Sequence, residues 1–146
     1  MKNICLERLT PVIQQEPFGC GIASTANIVN KSYPEMQAIA NNLGIYSEDS
    51  KLWSDTAYVR QLLHHEDVDV DEVETPFTSW EALPDTALLA IKHHYDHTQG
   101  RYFWHWVVFR RIEGQAAVLD SASYLPFNVR TDFAAMTPQW FIGVRI

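Results

Sequence analysis

Seven consecutive residues, Phe103-Trp104-His105-Trp106-Val107-Val108-Phe109, constrain this chain more than any other stretch. All but His105 are aromatic or β-branched, and the run is short, which reads as a buried strand. Strand alternation sets Phe103, His105 and Val107 on one face and Trp104, Trp106 and Val108 on the other. One imidazole is thereby committed to an apolar setting, where it needs a hydrogen-bond partner. A satisfied core histidine and a histidine at a cleft wall both meet that need.

The residues that follow supply a candidate partner. Strands over Tyr102 to Ile112 and Ala116 to Asp120, joined by a turn at Glu113-Gly114, form a hairpin. Folding about that turn brings Asp120 roughly opposite the His105 end of the preceding strand. A carboxylate there fixes the imidazole tautomer and stabilises its cation. The structural alternative is a cap for the strand end, shared with Ser121 and Ser123. Further strands are expected over Val68-Val70-Val73, over Thr86 to Ile91 and over Trp140 to Ile146. Ser79 to Leu83 reads as one helical turn, and Ser121 to Pro138 as irregular.

The first half of the chain reads differently. Pro11 and Pro17 make Ile4 to Phe18 an extended arm, ending in a turn at Pro17-Phe18-Gly19. A buried helix follows from Cys20 to Asn30. Ser32 and Pro34 open a second helix that stops at Gly44, and a third starts near Ser54-Asp55 and runs to Asp67. Helices first and an antiparallel sheet afterwards predict an α+β domain with a helical layer on a C-terminal sheet. At 146 residues with 47% hydrophobic residues, residues 1–146 suit a single domain.

This order puts Cys20 at a helix N-terminus in one layer, and His105 and Asp120 on neighbouring strands of the other. A thiol attacks a carbonyl as its thiolate, which a helix N-terminus and a nearby imidazolium both stabilise. Gly19 and Gly21 permit a tight turn and are expected to leave room for a substrate backbone. A small core residue is the alternative role for Cys20. One disulfide between Cys5 and Cys20 would be an unusual framework for a domain of this size, so free thiols are expected.

Together these segments resemble the papain-like cysteine peptidases, and in particular the C39 family of bacteriocin-processing peptidases. The matching blocks are Gln14 through Cys20-Gly21-Ile22-Ala23, then His105-Trp106-Val107-Val108, then Val118-Leu119-Asp120. The resemblance implies a papain-like fold and a triad of Cys20, His105 and Asp120. It also implies that the Gln14 side chain and the backbone N–H of Cys20 receive the oxyanion; Gln15 is adjacent and competes for the role. The family usually has Asp before the cysteine and Pro after the later Asp, where this chain has Gly19 and Ser121. No P-loop is present.

The chemistry implied is hydrolysis of an amide through a thioester, as a peptidase or as a glutamine deamidase of a protein substrate, both uses found on C39-like folds. A peptide-binding module with an idle triad is the competing class. No cofactor is implied. A net charge of −7 with scattered basic residues argues against nucleic acid, and no apolar run is long enough to insert in a membrane. Met1 to Arg8 lacks a secretory signal, so a cytoplasmic chain is expected, although bacterial effectors exported by other routes carry no such mark. His93 and His97 would share a helix face as metal ligands, but Lys92 and Gly100 suggest a strand end running into a loop. Five tryptophans are candidates for core or groove, with Trp104 and Trp106 the first choice as groove walls because they flank His105.

Overall fold

The computed structural model describes residues 9–146; Cys5 lies outside the described residues. Helix α1 (Cys20–Val29) ends where Asn30 turns left-handed at φ 62°. Helix α2 (Tyr33–Asn42) is opened by a reciprocal cap, in which Ser32 Oγ accepts from the Glu35 N–H and the Glu35 carboxylate accepts from the Ser32 N–H. Gly44, at φ 81°, lies just past its end. Helix α3 (Ala57–His65) begins later than Ser54-Asp55 and ends before Asp67. Ser50–Ser54 winds as a 3-10 turn, and the Asp55 carboxylate accepts from the Ala57 N–H at 2.9 Å.

Seven strands follow: β1 (Asp69–Val70), β2 (Thr75–Pro76), β3 (Thr86–Asp96), β4 (Arg101–Ile112), β5 (Gln115–Leu119), β6 (Val129–Arg130) and β7 (Trp140–Arg145). They form an open antiparallel sheet in the order β1-β7-β3-β4-β5-β6, with β2 also on β7. Helices α1 to α3 pack on this sheet, giving an α+β architecture. No helix among the described residues is long and apolar enough to cross a membrane.

Three local expectations are corrected. The valine alternation at 68–73 yields only the two-residue β1, because the Asp71 backbone and side chain are diverted to Arg60, Gly143 and Arg145. Ser79 to Leu83 is a turn, in which Ser79 Oγ takes the Ala82 N–H. Strand β3 passes beyond Ile91 through a bulge to Asp96, so His93 and His94 are strand residues.

Both faces of the sheet are covered. Leu88, Trp106, Val108 and Ile142 meet Ile22, Ala26, Met36 and Leu62 on the helical side. Leu89, Ile91, Val107, Phe109 and Val118 face the other way, under Trp80, Phe133 and Met136. The alternation along the run 103–109 therefore holds where it enters the core.

The β4–β5 hairpin positions the site. Glu113 and Gly114 both have positive φ, 52° and 80°, the two-residue turn whose twist matches the strands. The ladder starts at Ile112–Gln115 and closes at Val108–Leu119. Residues Ile112, Arg110, Val108 and Trp106 therefore direct their N–H and C=O toward the β5 side. At Trp106 strand β5 is gone, and α1 takes its place: the Trp106 N–H donates to Cys20 Sγ at 3.5 Å, and the Trp106 carbonyl accepts from Ser24 Oγ at 3.4 Å. A helix stands in for a missing strand, and its first residue is the cysteine.

Candidate active site

Asp120 follows Leu119, which pairs with Val108, so it lies opposite Val107 and diagonal to His105 on the same face. The side chains meet, with His105 Nε2 donating to Asp120 Oδ1 at 2.7 Å. That leaves Nδ1 for Cys20, whose Sγ accepts from the N–H of the adjacent residue, Trp106, at 3.5 Å. Cys20 at the start of α1 and the His105–Asp120 pair of the β4–β5 hairpin come together.

Burial alone would pull the His105 pKa down. Its hydrogen bond to Asp120 and its interaction with Cys20 outweigh that, and the imidazole is pushed up to about 10. Asp120 is 1% exposed, which by itself would raise its carboxyl. His105, the Ala122 N–H and Arg130 together hold it below the usual carboxylate range. The arrangement favours an imidazolium next to the sulfur and a carboxylate behind it.

Sequence reasoning missed how Asp120 is held. Arg130 Nη1 donates to Asp120 Oδ2 at 3.0 Å, and the rest of that guanidinium binds Asp132 through Nε at 3.0 Å and Nη2 at 2.7 Å. Asn128 Nδ2 donates to the carbonyls of Asp120 and Ala122, both at 2.8 Å, and the Asp120 N–H donates to the Asn128 carbonyl. These residues lie in the segment read as irregular. The alternation of asparagine, arginine and aspartate at 128, 130 and 132 was the one available signal.

Gln14 sits at the same edge. Its Nε2 donates to the carbonyls of Glu16 at 3.0 Å and Pro17 at 3.3 Å, and its Oε1 accepts from Ser121 Oγ at 2.7 Å. The two backbones are joined as well, through the Gln14 N–H and the Ser121 carbonyl. Ser121, one of the departures from the family pattern, thus orients the Gln14 amide. Gln15 is exposed and lines the same cleft.

The glycines flanking Cys20 have a different purpose from the one expected. A Cβ on Gly19 would overlap the Tyr33 hydroxyl, and one on Gly21 would overlap Tyr58. The space is filled by tyrosine side chains of α2 and α3 and is not open to a substrate. Gly19, as N-cap, brings no side-chain acceptor, so the first-turn N–H groups of α1 keep their pull on an anion.

A cleft of about 500 Å³ opens beside His105. It is lined by Trp53, Phe103 and Trp104, by Ala122 to Tyr124, by Lys92 and His94, and by the arm Gln14 to Pro17. Trp53 fixes that arm by donating its Nε1–H to the Pro17 carbonyl at 3.1 Å and packing edge-on against Phe18. Of the two first candidates for groove walls, Trp104 lines the cleft, whereas Trp106 is wholly buried in the core. Cys20 is a free thiol, 0% exposed, beneath the cleft and not on its surface.

The histidines at 93–97 are apart from one another. His93 stacks on Tyr102, the His94 Nδ1–H donates to the Lys92 carbonyl, and His97 packs on Tyr95. Among the described residues no three His, Cys, Asp or Glu side chains converge as metal ligands. No family model matches the chain, and no curated protein matches it.

Proposed function

We propose that the protein is a thiol-dependent amide hydrolase with a papain-like, C39-like arrangement, acting as a cysteine peptidase. The observation that carries this reading is the Asp120–His105 hydrogen bond beside Cys20, whose Sγ accepts from the N–H of the residue next to His105, at a helix N-terminus and beside a cleft. Cys20 gives its proton to His105 Nδ1, and the thiolate attacks the carbonyl carbon. The Cys20 N–H and the Gln14 amide receive the oxyanion, the latter after releasing one of its two carbonyl partners. The C–N bond breaks as His105 returns the proton to the leaving amine, and a thioester remains. Water, deprotonated by His105, then attacks the thioester; the acid leaves and the thiol is restored. A glutamine side chain expels ammonia by the same steps, so a deamidase shares the mechanism.

The test is the rate of iodoacetamide labelling at Cys20 from pH 5 to 9, in the wild type and in His105→Ala. Fast labelling at pH 6 that drops at least tenfold in His105→Ala supports the reading. Equal, ordinary thiol behaviour in both proteins refutes it. A second reading, a peptide-binding module with an idle triad, is favoured by the complete burial of Cys20. It expects a peptide to bind the cleft while Cys20 stays unreactive.

A further inference from the structure

Strand β3 breaks its pairing with β4 at one place. Ile91 faces His105 and His94 faces Phe103, so Lys92 and His93 are both set against Trp104. Lys92 adopts the left-handed backbone, φ 55°, which a lysine keeps only where its surroundings hold it. The His94 Nδ1–H supplies that hold, donating to the Lys92 carbonyl at 2.7 Å. Bulges re-aim side chains next to sites, and this one delivers Lys92 to the cleft that His105 lines.

The ammonium touches the Tyr124 hydroxyl and lies 5.1 Å from the centre of that ring. Among the described residues it has no carboxylate partner. Glu16 is the one acidic residue on the cleft wall, and its Oε1 is engaged by Tyr33 and Gln37. In a chain of net charge −7, such a cation is placed for a charge that the substrate brings. Trp53, Phe103 and Trp104 beside it suit an apolar neighbour.

From this we infer that Lys92 binds a carboxylate of the substrate, so that the cleft takes an acidic peptide. The inference rests on the hydrolase reading and names the substrate class of that same site.

Iodoacetate and iodoacetamide differ by one carboxylate, and the ratio of their labelling rates at Cys20 reads the site directly. In Lys92→Gln the ratio is expected to fall about three- to tenfold. It should hold in Lys92→Arg and shrink in the wild type as salt rises toward about 0.5 M. A ratio unchanged by Lys92→Gln, with iodoacetamide still labelling Cys20 quickly, overturns the carboxylate site and leaves the triad standing. Cys20 labelled by neither reagent faster in wild type than in His105→Ala overturns the hydrolase reading, and the site falls with it. Two competing peptides identify the carboxylate: an amidated tripeptide with a central glutamate, and its glutamine counterpart with a free C-terminus. The one whose protection of Cys20 disappears in Lys92→Gln carries the recognised group. Protection by neither overturns the assignment to a peptide.

Discussion

Asp120 and Asp71 are held by the same kinds of partner. Asp120 accepts from Arg130 Nη1 at 3.0 Å and from the Ala122 N–H at 3.1 Å; Asp71 accepts from Arg145 Nη1 at 2.8 Å and from the Gly143 N–H at 2.9 Å. Their surroundings differ. The Asp71 side chain is 32% exposed at the sheet edge, where it ties the β1–β2 segment to β7, and no histidine touches it. Asp120 is 1% exposed and adds His105 to its partners. The pair teaches that a carboxylate with an arginine and a backbone N–H fastens a sheet edge where water reaches it. With water excluded and an imidazole added, it holds a charge on another residue.

Truncating each aspartate should separate the two most sharply. Asp120→Ala leaves Arg130 and His105 without their buried partner and is expected to cost about 3–5 kcal/mol in urea unfolding. It should also slow iodoacetamide labelling of Cys20 at pH 6 by at least about tenfold. Asp71→Ala is expected to cost about 1–2 kcal/mol and leave labelling unchanged. Slowed labelling in Asp71→Ala would break the comparison.

The next effect is read against pH. His105 has its folded pKa raised to about 10, while an unfolded histidine titrates near the ordinary imidazole value of 6.5. The stabilisation it gives is therefore complete below pH 6.5 and is lost as pH rises through 10. Wild-type stability should fall across that window by on the order of 5 kcal/mol, and His105→Gln should flatten the fall. Asp71→Asn should leave the slope intact; if it flattens the curve equally, the two carboxylates are not distinct.

Smaller effects sharpen the surroundings of Asp120. Gly19→Ala pushes a methyl group into the Tyr33 hydroxyl and should cost about 1–3 kcal/mol, less in a Tyr33→Phe background. A cost that Tyr33→Phe does not relieve would mean that backbone freedom, and not packing, requires the glycine. Gln14→Ala should slow acylation of Cys20 by a p-nitrophenyl ester about tenfold and leave iodoacetamide labelling alone, because alkylation forms no oxyanion. Equal slowing of both would make Gln14 a structural strut.

The sequence made the elements legible where chemistry is local. The Ser32–Glu35 cap, the Glu113-Gly114 turn and the apolar run around Phe103 each announce themselves within a few residues. Cys20, His105 and Asp120 were legible because a helix start and one hairpin suffice to bring them near one another. Arg130 and Asn128 were not, since their partner is reached through a segment without periodicity. Gly19 and Gly21 were misread for a related reason: the tyrosines that need them lie on other helices, and sequence spacing says nothing of such contacts. Lys92 escaped because a bulge inside a strand leaves no mark of its own.

The peptide N–H of Trp106 gives this protein a built-in spectator. It points at the Cys20 sulfur and has no strand to bond to in its place. Its amide resonance and exchange rate should therefore register whether the sulfur is a thiol, a thiolate or a thioester. On the proposed hydrolase reading, an isotope-labelled sample follows turnover through this one nucleus, with no chromophore attached to the substrate.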